Sequence, residues 1–288
     1  MIYSMTGYAA VARELPWGAL ALELRSVNHR YLDVSLRMPD ELRAVEPALR
    51  EAIAARLQRG KVECRLQLNA ASGQPKPFEL NMALLAQLRA LETRVRVAWP
   101  AAREMGVHEI VRWPGMLGSD TVPLEELRAA TQELLVAALE ELNATRAREG
   151  ERLQALLLER LAGMQRIVAE TGPKMPQILA AYSEKLATKL REALAGGDEE
   201  RIRQEIVLFA SKIDVDEELG RLGAHLAEAR RILERGGAVG KRLDFLMQEF
   251  NREANTLGSK SVDSATSQAS IELKILIEQM REQIQNIE

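Results

Sequence analysis

Aromatic residues make up only 4% of this 288-residue chain, and it carries one cysteine and three histidines. A single thiol, Cys64, excludes an internal disulfide and fits a reducing compartment. No apolar run is long enough to span a bilayer. The opening MIYSMTGYAA has no basic stretch followed by an apolar one, so no secretory signal is expected there. P-loop, GxGxxG, CxxC and HExxH patterns are all absent, which disfavours nucleotide-driven and zinc-protease chemistry. The net charge is −3. A protein that coats polyanions with its whole surface would be basic, so any nucleic-acid binding must come from a local patch.

What the chain does have is helix-forming material. Apolar residues reach 47%, enough for a core, and Ala, Leu, Glu and Arg dominate. The first 70 residues nevertheless alternate with period two. Leu20, Leu22 and Leu24 oppose Glu23 and Arg25. Leu32, Val34, Leu36 and Met38 oppose Tyr31, Asp33, Ser35 and Arg37. Val62, Cys64, Leu66 and Leu68 oppose Glu63, Arg65 and Gln67. Such alternation predicts a sheet with one packed face and one polar face, and it places Cys64 as a buried structural thiol.

Between the second and third runs a helix is expected. Asp40 is its expected N-cap, Gly60 its stop, and Leu42, Val45, Leu49, Ile53 and Leu57 its apolar stripe. With a first strand expected near Ile2–Tyr8, the order is β-β-β-α-β. SGQPKP (72–77) reads as a turn, Met82–Ala98 as a helix, and Trp113-Pro114-Gly115 as a break. One continuous helical pattern covers 124–170, about 70 Å at the usual rise. Further helices are expected over 175–195, 199–235, 238–257 and 262–287, with turns at 196–198 and at Gly236-Gly237. The fold class is therefore α+β. Residues 1–120 form a sheet domain, 121–200 a long helical arm suited to a subunit contact, and 201–288 a C-terminal helical domain.

One window departs from generic helix composition. FLMQEFNREANTLGSKS (245–261) holds Gln248, Glu249, Asn251, Arg252, Glu253, Asn255, Thr256, Ser259 and Lys260. Amides and hydroxyls compete with the helix backbone, so their density implies partners: another subunit, a ligand or each other. This window and the ending REQIQNIE resemble the C-terminal signature of the YicC/YloC family. MIYSMTGYA, ELRSVNHRYLDVSLRMP, VEPALREAI, RGKVECRLQL, RWPGM and KIDVDEELGRLGAHL resemble its other blocks, in order. Tyr8 departs from the pattern, where Phe is common. Residues 70–105 and 120–200 contribute least. The resemblance implies a cytoplasmic, divalent-metal-dependent endoribonuclease, and a hexamer that encloses or clamps RNA.

Two chemical routes to RNA cleavage are open. In the first, carboxylates hold Mn²⁺ or Mg²⁺. Asp214, Glu218 and His225 share one helical face, but Asp214 and His225 are ~16 Å apart along the axis. One ion cannot bind all three, and Glu249 or Glu253 is the expected source of help. Glu218, His225 and Glu249 are the expected metal holders, and Lys260 would stabilise the departing charge. The alternative is an ion-pair ladder through Glu217 and Arg221. In the second route His29, in the corner Asn28-His29-Arg30, acts as a base on the 2′-hydroxyl; its alternative is a hydrogen-bonded turn.

The polar sheet face is either simply solvated or a platform for single-stranded RNA. In the second case Arg25, His29, Arg30, Arg37, Lys61 and Arg65, with Arg252, contact RNA, and Tyr31 stacks on a base. A competing function is a non-catalytic adaptor that delivers small RNAs to a separate ribonuclease, which makes an RNA-degrading exonuclease a candidate partner.

Overall fold

The computed structural model describes all residues except 17, 71–78, 118–123 and 194–198. The expected turns at 72–77 and 196–198 lie outside the described residues. Four strands form the sheet: β1 Gly7–Leu15, β2 Gly18–Val27, β3 Leu32–Arg37 and β4 Gly60–Ala70. Their order is β1-β2-β4-β3; β1, β2 and β4 pair antiparallel, and β3 pairs parallel to β4. The parallel pair requires a crossover, and α1 (Glu46–Arg56) supplies it.

Alternation translates into burial as expected. Leu20, Leu22, Leu24, Val62, Cys64 and Leu66 all point into the core. The stripe Leu42, Val45, Leu49, Ile53 and Leu57 covers them. Burial pushes the Cys64 thiol up to about 12, because a thiolate there would lose its water.

Three local expectations are corrected. The first strand begins at Gly7, not Ile2. The apolar Ile2 is claimed by a different core, and Ser4 pairs with Ile287 at the far end of the chain. Asp40 caps nothing: the chain enters α1 through a 3-10 turn, Asp40–Val45, and the Asp40 carboxylate pairs with Arg43 at 2.8 Å. Gly60 does not end the helix, which stops at Arg56; it opens β4 at φ 105°, a conformation that suits glycine.

After α2 (Met82–Ala98) and the short α3 (Val107–Val111) comes α4, Leu124–Thr171, 48 residues in one helix. It is shared between two cores. Leu127, Leu134, Leu135, Leu139 and Leu142 join the sheet core, while Leu153, Leu157, Leu161 and Met164 join a second, helical core. A 3-10 turn at Gly172–Lys174 leads into α5, Met175–Ala193, which packs antiparallel on α6, Glu199–Ile213. Tyr182 stacks on Phe209 between them, at 4.8 Å, and Arg191 pairs with Glu199 at 3.0 Å.

The helix expected over 199–235 is two helices. α6 ends at Ile213 and α7 runs Asp216–Arg235. Val215 is buried, and the Asp214 carboxylate accepts from the Asp216 N–H. Asp214 therefore lies outside α7, and the face it was expected to share with Glu218 and His225 does not exist. Gly236 and Gly237 follow at φ 69° and 89°, turning the chain into α8, Gly240–Lys260. α9, Ser264–Ile284, starts under an Asp263 cap. α7, α8, α9 and the second half of α4 enclose the helical core around Phe250, Met247 and Leu226. No described helix is long and apolar enough to cross a membrane.

Candidate metal centre and nucleic-acid interface

α7 and α8 run antiparallel, so the polar side of their contact is a ladder. At one end Lys260 Nζ donates to Glu218 Oε1 at 2.9 Å and to the Asp214 carbonyl at 2.8 Å. Next, Arg221 Nη2 stands 2.9 Å from Glu253 Oε2 and 3.4 Å from Glu218 Oε1, and its Nη1 pairs with Glu217. At the far end Arg242 pairs with Glu228 at 3.2 Å. Between these rungs lie His225, Glu249 and Glu253, whose ligating atoms are all within 4.8 Å of one another. Here imidazole and two carboxylates face each other.

The residues fit a divalent ion. One imidazole and two carboxylates make a donor set for Mn²⁺ or Mg²⁺ rather than for a thiolate-bound metal. Glu253 is buried, and its Oε2 accepts no well-directed hydrogen bond although Arg221 is close. Buried carboxylate oxygens normally have such partners, so this one has acceptor capacity to spare. Glu249 and His225 are half-buried, leaving the trio an opening to solvent. The His225 ring meets Phe250 edge-on at 6.3 Å, which limits its rotation. Arg221 is held charged above its ordinary range, chiefly by the Glu253 carboxylate beside it.

The expected site residues are therefore partly regrouped. His225 and Glu249 come together as expected. The third member is Glu253, one turn beyond Glu249. Glu218 sits one rung away, tied to Lys260 and Arg221, and Lys260 is committed to Glu218 and the Asp214 carbonyl. The Glu217–Arg221 pair of the ladder reading is present as well. Arg221, which the ladder reading pairs with Glu217, also reaches Glu218 and Glu253. Its spacing of four from both Glu217 and His225 was the available signal.

Of the polar residues in the 245–261 window, Gln248, Thr256, Ser259 and Lys260 find partners within the chain. Asn251, Arg252 and Asn255 are exposed, and Arg252 approaches Glu249 only to 3.9 Å.

On the outer sheet face, strand register aligns Tyr8, Arg25, Glu63 and Ser35 in one row and Ala10, Glu23, Arg65 and Arg37 in the next. Arg37 and Arg65 both lean on Glu63, at 2.9 and 3.8 Å. Arg25 and Lys61 are exposed, with no ion pair among the described residues. At the same end of the sheet, the Arg30 guanidinium lies 5.2 Å from the Tyr31 ring centroid, and Arg59 Nε donates to the Arg30 carbonyl. His29 Nδ1 is 2.9 Å from the Tyr31 carbonyl, so it is part of a hydrogen-bonded turn. Tyr31 is 65% exposed and Tyr8 52%. One sheet end thus carries Arg25, Arg30, Arg59 and Lys61 beside two uncovered rings. Tyr8 and Arg59 were not anticipated; strand register places Tyr8 there, and the bond to the Arg30 carbonyl places Arg59. His108 lies apart, exposed on α3.

Residues 2–155 match the family described as "Endoribonuclease YicC-like, N-terminal region", and residues 171–288 match "Endoribonuclease YicC-like, C-terminal". A protein of Haemophilus influenzae named "Probable endoribonuclease YicC" is 40% identical over 291 residues, covering 100% of both chains. A protein of Clostridioides difficile with the same name is 26% identical over 293 residues, again across 100% of both.

Proposed function

The chain belongs to the YicC-like endoribonuclease family, and from that premise we propose that it is a cytoplasmic, divalent-metal-dependent endoribonuclease that cuts single-stranded RNA and serves small-RNA and mRNA turnover. The observation that carries this reading is the trio His225, Glu249 and Glu253 on the α7–α8 contact. His225, Glu249 and Glu253 would hold Mn²⁺ or Mg²⁺. What such an ion supplies when bound is charge neutralisation at a phosphate and a more acidic water. Arg221 keeps Glu253 oriented from behind, and Lys260 keeps the end of α8 on α7 through Glu218. Arg25, Arg30 and Lys61 bind the RNA backbone, and Tyr31 and Tyr8 offer stacking faces to unpaired bases. Arg37 and Arg65 add charge to that face, shared with Glu63.

We also propose a homo-oligomer, with a hexamer as the expected state and an RNA-degrading exonuclease as a candidate partner. Exposed apolar side chains support self-association: Ile271 and Ile275, one turn apart on α9, and Val207 and Leu208 on α6.

The test is cleavage of an end-labelled single-stranded RNA in Mn²⁺, in Mg²⁺ and in EDTA, with Glu249→Gln and Glu253→Gln beside the parent protein. Internal cuts that need metal and vanish in both variants support the reading. Binding without cuts under every condition supports the adaptor. Cuts that persist in EDTA point to 2′-hydroxyl attack and to His29. Metal-dependent cuts that survive both variants move the site away from this trio.

A further inference from the structure

Where the two cores meet, an open cleft of about 340 Å³ lies beside both ends of the chain. Its walls include Tyr3, Arg56, Gln58, Asn143, Arg146 and Glu288. The volume is within the usual span of small-ligand sites, ~300–1,000 Å³.

Two of these groups are already committed. Arg146 is buried, donates from Nε to the Ser4 carbonyl at 2.7 Å, and pairs with the Glu288 carboxylate. The pair cancels the one carboxylate side chain that would repel an anion. Arg146 also approaches the Tyr3 ring, 6.0 Å from its centroid. The Tyr3 backbone is fixed as well, because its carbonyl accepts from the Glu288 N–H at 3.0 Å. The ring lies against Arg146, yet 38% of the residue remains exposed.

The other groups are free. Arg56, Gln58 and Asn143 make no side-chain hydrogen bond or ion pair among the described residues. Arg56 ends α1, and Gln58 follows two residues later, next to Arg59, which is bonded to the Arg30 carbonyl, and close in sequence to Lys61. The cleft wall is therefore next in sequence to the basic end of the sheet.

An exposed aromatic face, a free guanidinium and two free amides are the elements of nucleotide recognition. The ring covers a base, the guanidinium meets a phosphate, and amides both donate to and accept from base edges. We propose that this cleft holds one nucleotide of a single-stranded RNA, as a subsite that shares no residue with the His225–Glu249–Glu253 trio. The proposal rests on the RNA reading given above.

The experiment measures binding of a fluorescein-labelled 12-nucleotide RNA to the full chain in EDTA, by anisotropy across a salt series. Tyr3→Leu, Arg56→Gln and Asn143→Ala are compared with the parent. Each is expected to weaken binding by about tenfold, and Arg56→Gln to lower the slope of log affinity against log salt by about one. Thermal melting and Mn²⁺ binding should not change. Arg56 is exposed, so its variant is informative even if Tyr3→Leu fails to fold. RNA binding by the parent, with all folded variants within twofold of it, overturns the subsite while leaving the RNA reading intact. No RNA binding by the parent overturns both.

Discussion

Arg221 on α7 and Glu253 on α8 face each other at 2.9 Å across the helix contact, and Glu253 also belongs to the trio suited to a metal. The same guanidinium reaches Glu217 and Glu218. Arg221 is thus the link between the ion-paired end of the ladder and the end that gathers carboxylates around His225. Groups that orient a metal ligand typically change metal affinity 10–100-fold when removed. We expect Arg221→Gln to weaken Mn²⁺ binding at least tenfold, measured by calorimetry or by the spectrum of free Mn²⁺, with Arg221→Lys intermediate. Unchanged or tighter binding in Arg221→Gln would mean that the guanidinium does not support Glu253 as a ligand.

The crossing of the amino-terminal segment over α4 depends on one glycine. A Cβ at Gly150 would stand 2.0 Å from the Ile2 carbonyl oxygen and 2.7 Å from its carbon. Both are backbone atoms, so neither can turn away. Gly150→Ala should cost about 1–3 kcal/mol in urea unfolding, the usual scale for forced overpacking. Gly220, in α7, has nothing within 4 Å of its would-be Cβ. Gly220→Ala should therefore stabilise by roughly 0.5–1 kcal/mol, from helix propensity alone. If the two variants melt alike, the close passage of Ile2 over α4 is not what the protein adopts.

Cys64 offers a probe of the sheet core. Its thiol is pushed up to about 12 by burial, so at pH 8 it is neither ionised nor reachable. A thiol-specific chromogenic disulfide should leave the folded protein unlabelled and react stoichiometrically in denaturant. An unfolded cysteine ionises near its ordinary pKa, the folded one does not, and the stability owed to this difference is complete below pH 9 and declines as pH rises toward 12. Rapid labelling of the native protein at pH 8 would show that the sheet core opens far more readily than its packing implies.

Much of the architecture was legible because it rests on local periodicity. Leu20–Leu22–Leu24 and Val62–Cys64–Leu66 could bury only as strands, and Leu153, Leu157 and Leu161 only along a helix. The ends of elements were less legible. Ile2 has the sequence neighbourhood of a strand residue, but the helical core offers it complete burial, and that competition is settled by residues about 150 positions away and beyond. The break at Asp214–Val215 was hidden for a similar reason. The apolar rhythm continues through it, and only the burial of Val215 and the Asp214–Asp216 bond require the chain to turn.

The site divides along the same line. Helical spacing alone put Glu249 and Glu253 on one face of α8 and Arg221 and His225 on one face of α7, since residues three or four apart must stack. Which member of one set meets which member of the other depends on the Gly236–Gly237 turn and on the antiparallel register it imposes. That register delivers Lys260 to Glu218, Arg221 to Glu253 and His225 to Glu249. The sequence by itself determined an α+β chain with a sheet, a helix of 48 residues and an unusually polar carboxy-terminal helix pair. Only the tertiary structure decided that Glu253, rather than Glu218, completes the trio with His225, because contacts between helices are set by packing geometry and not by the period of either helix.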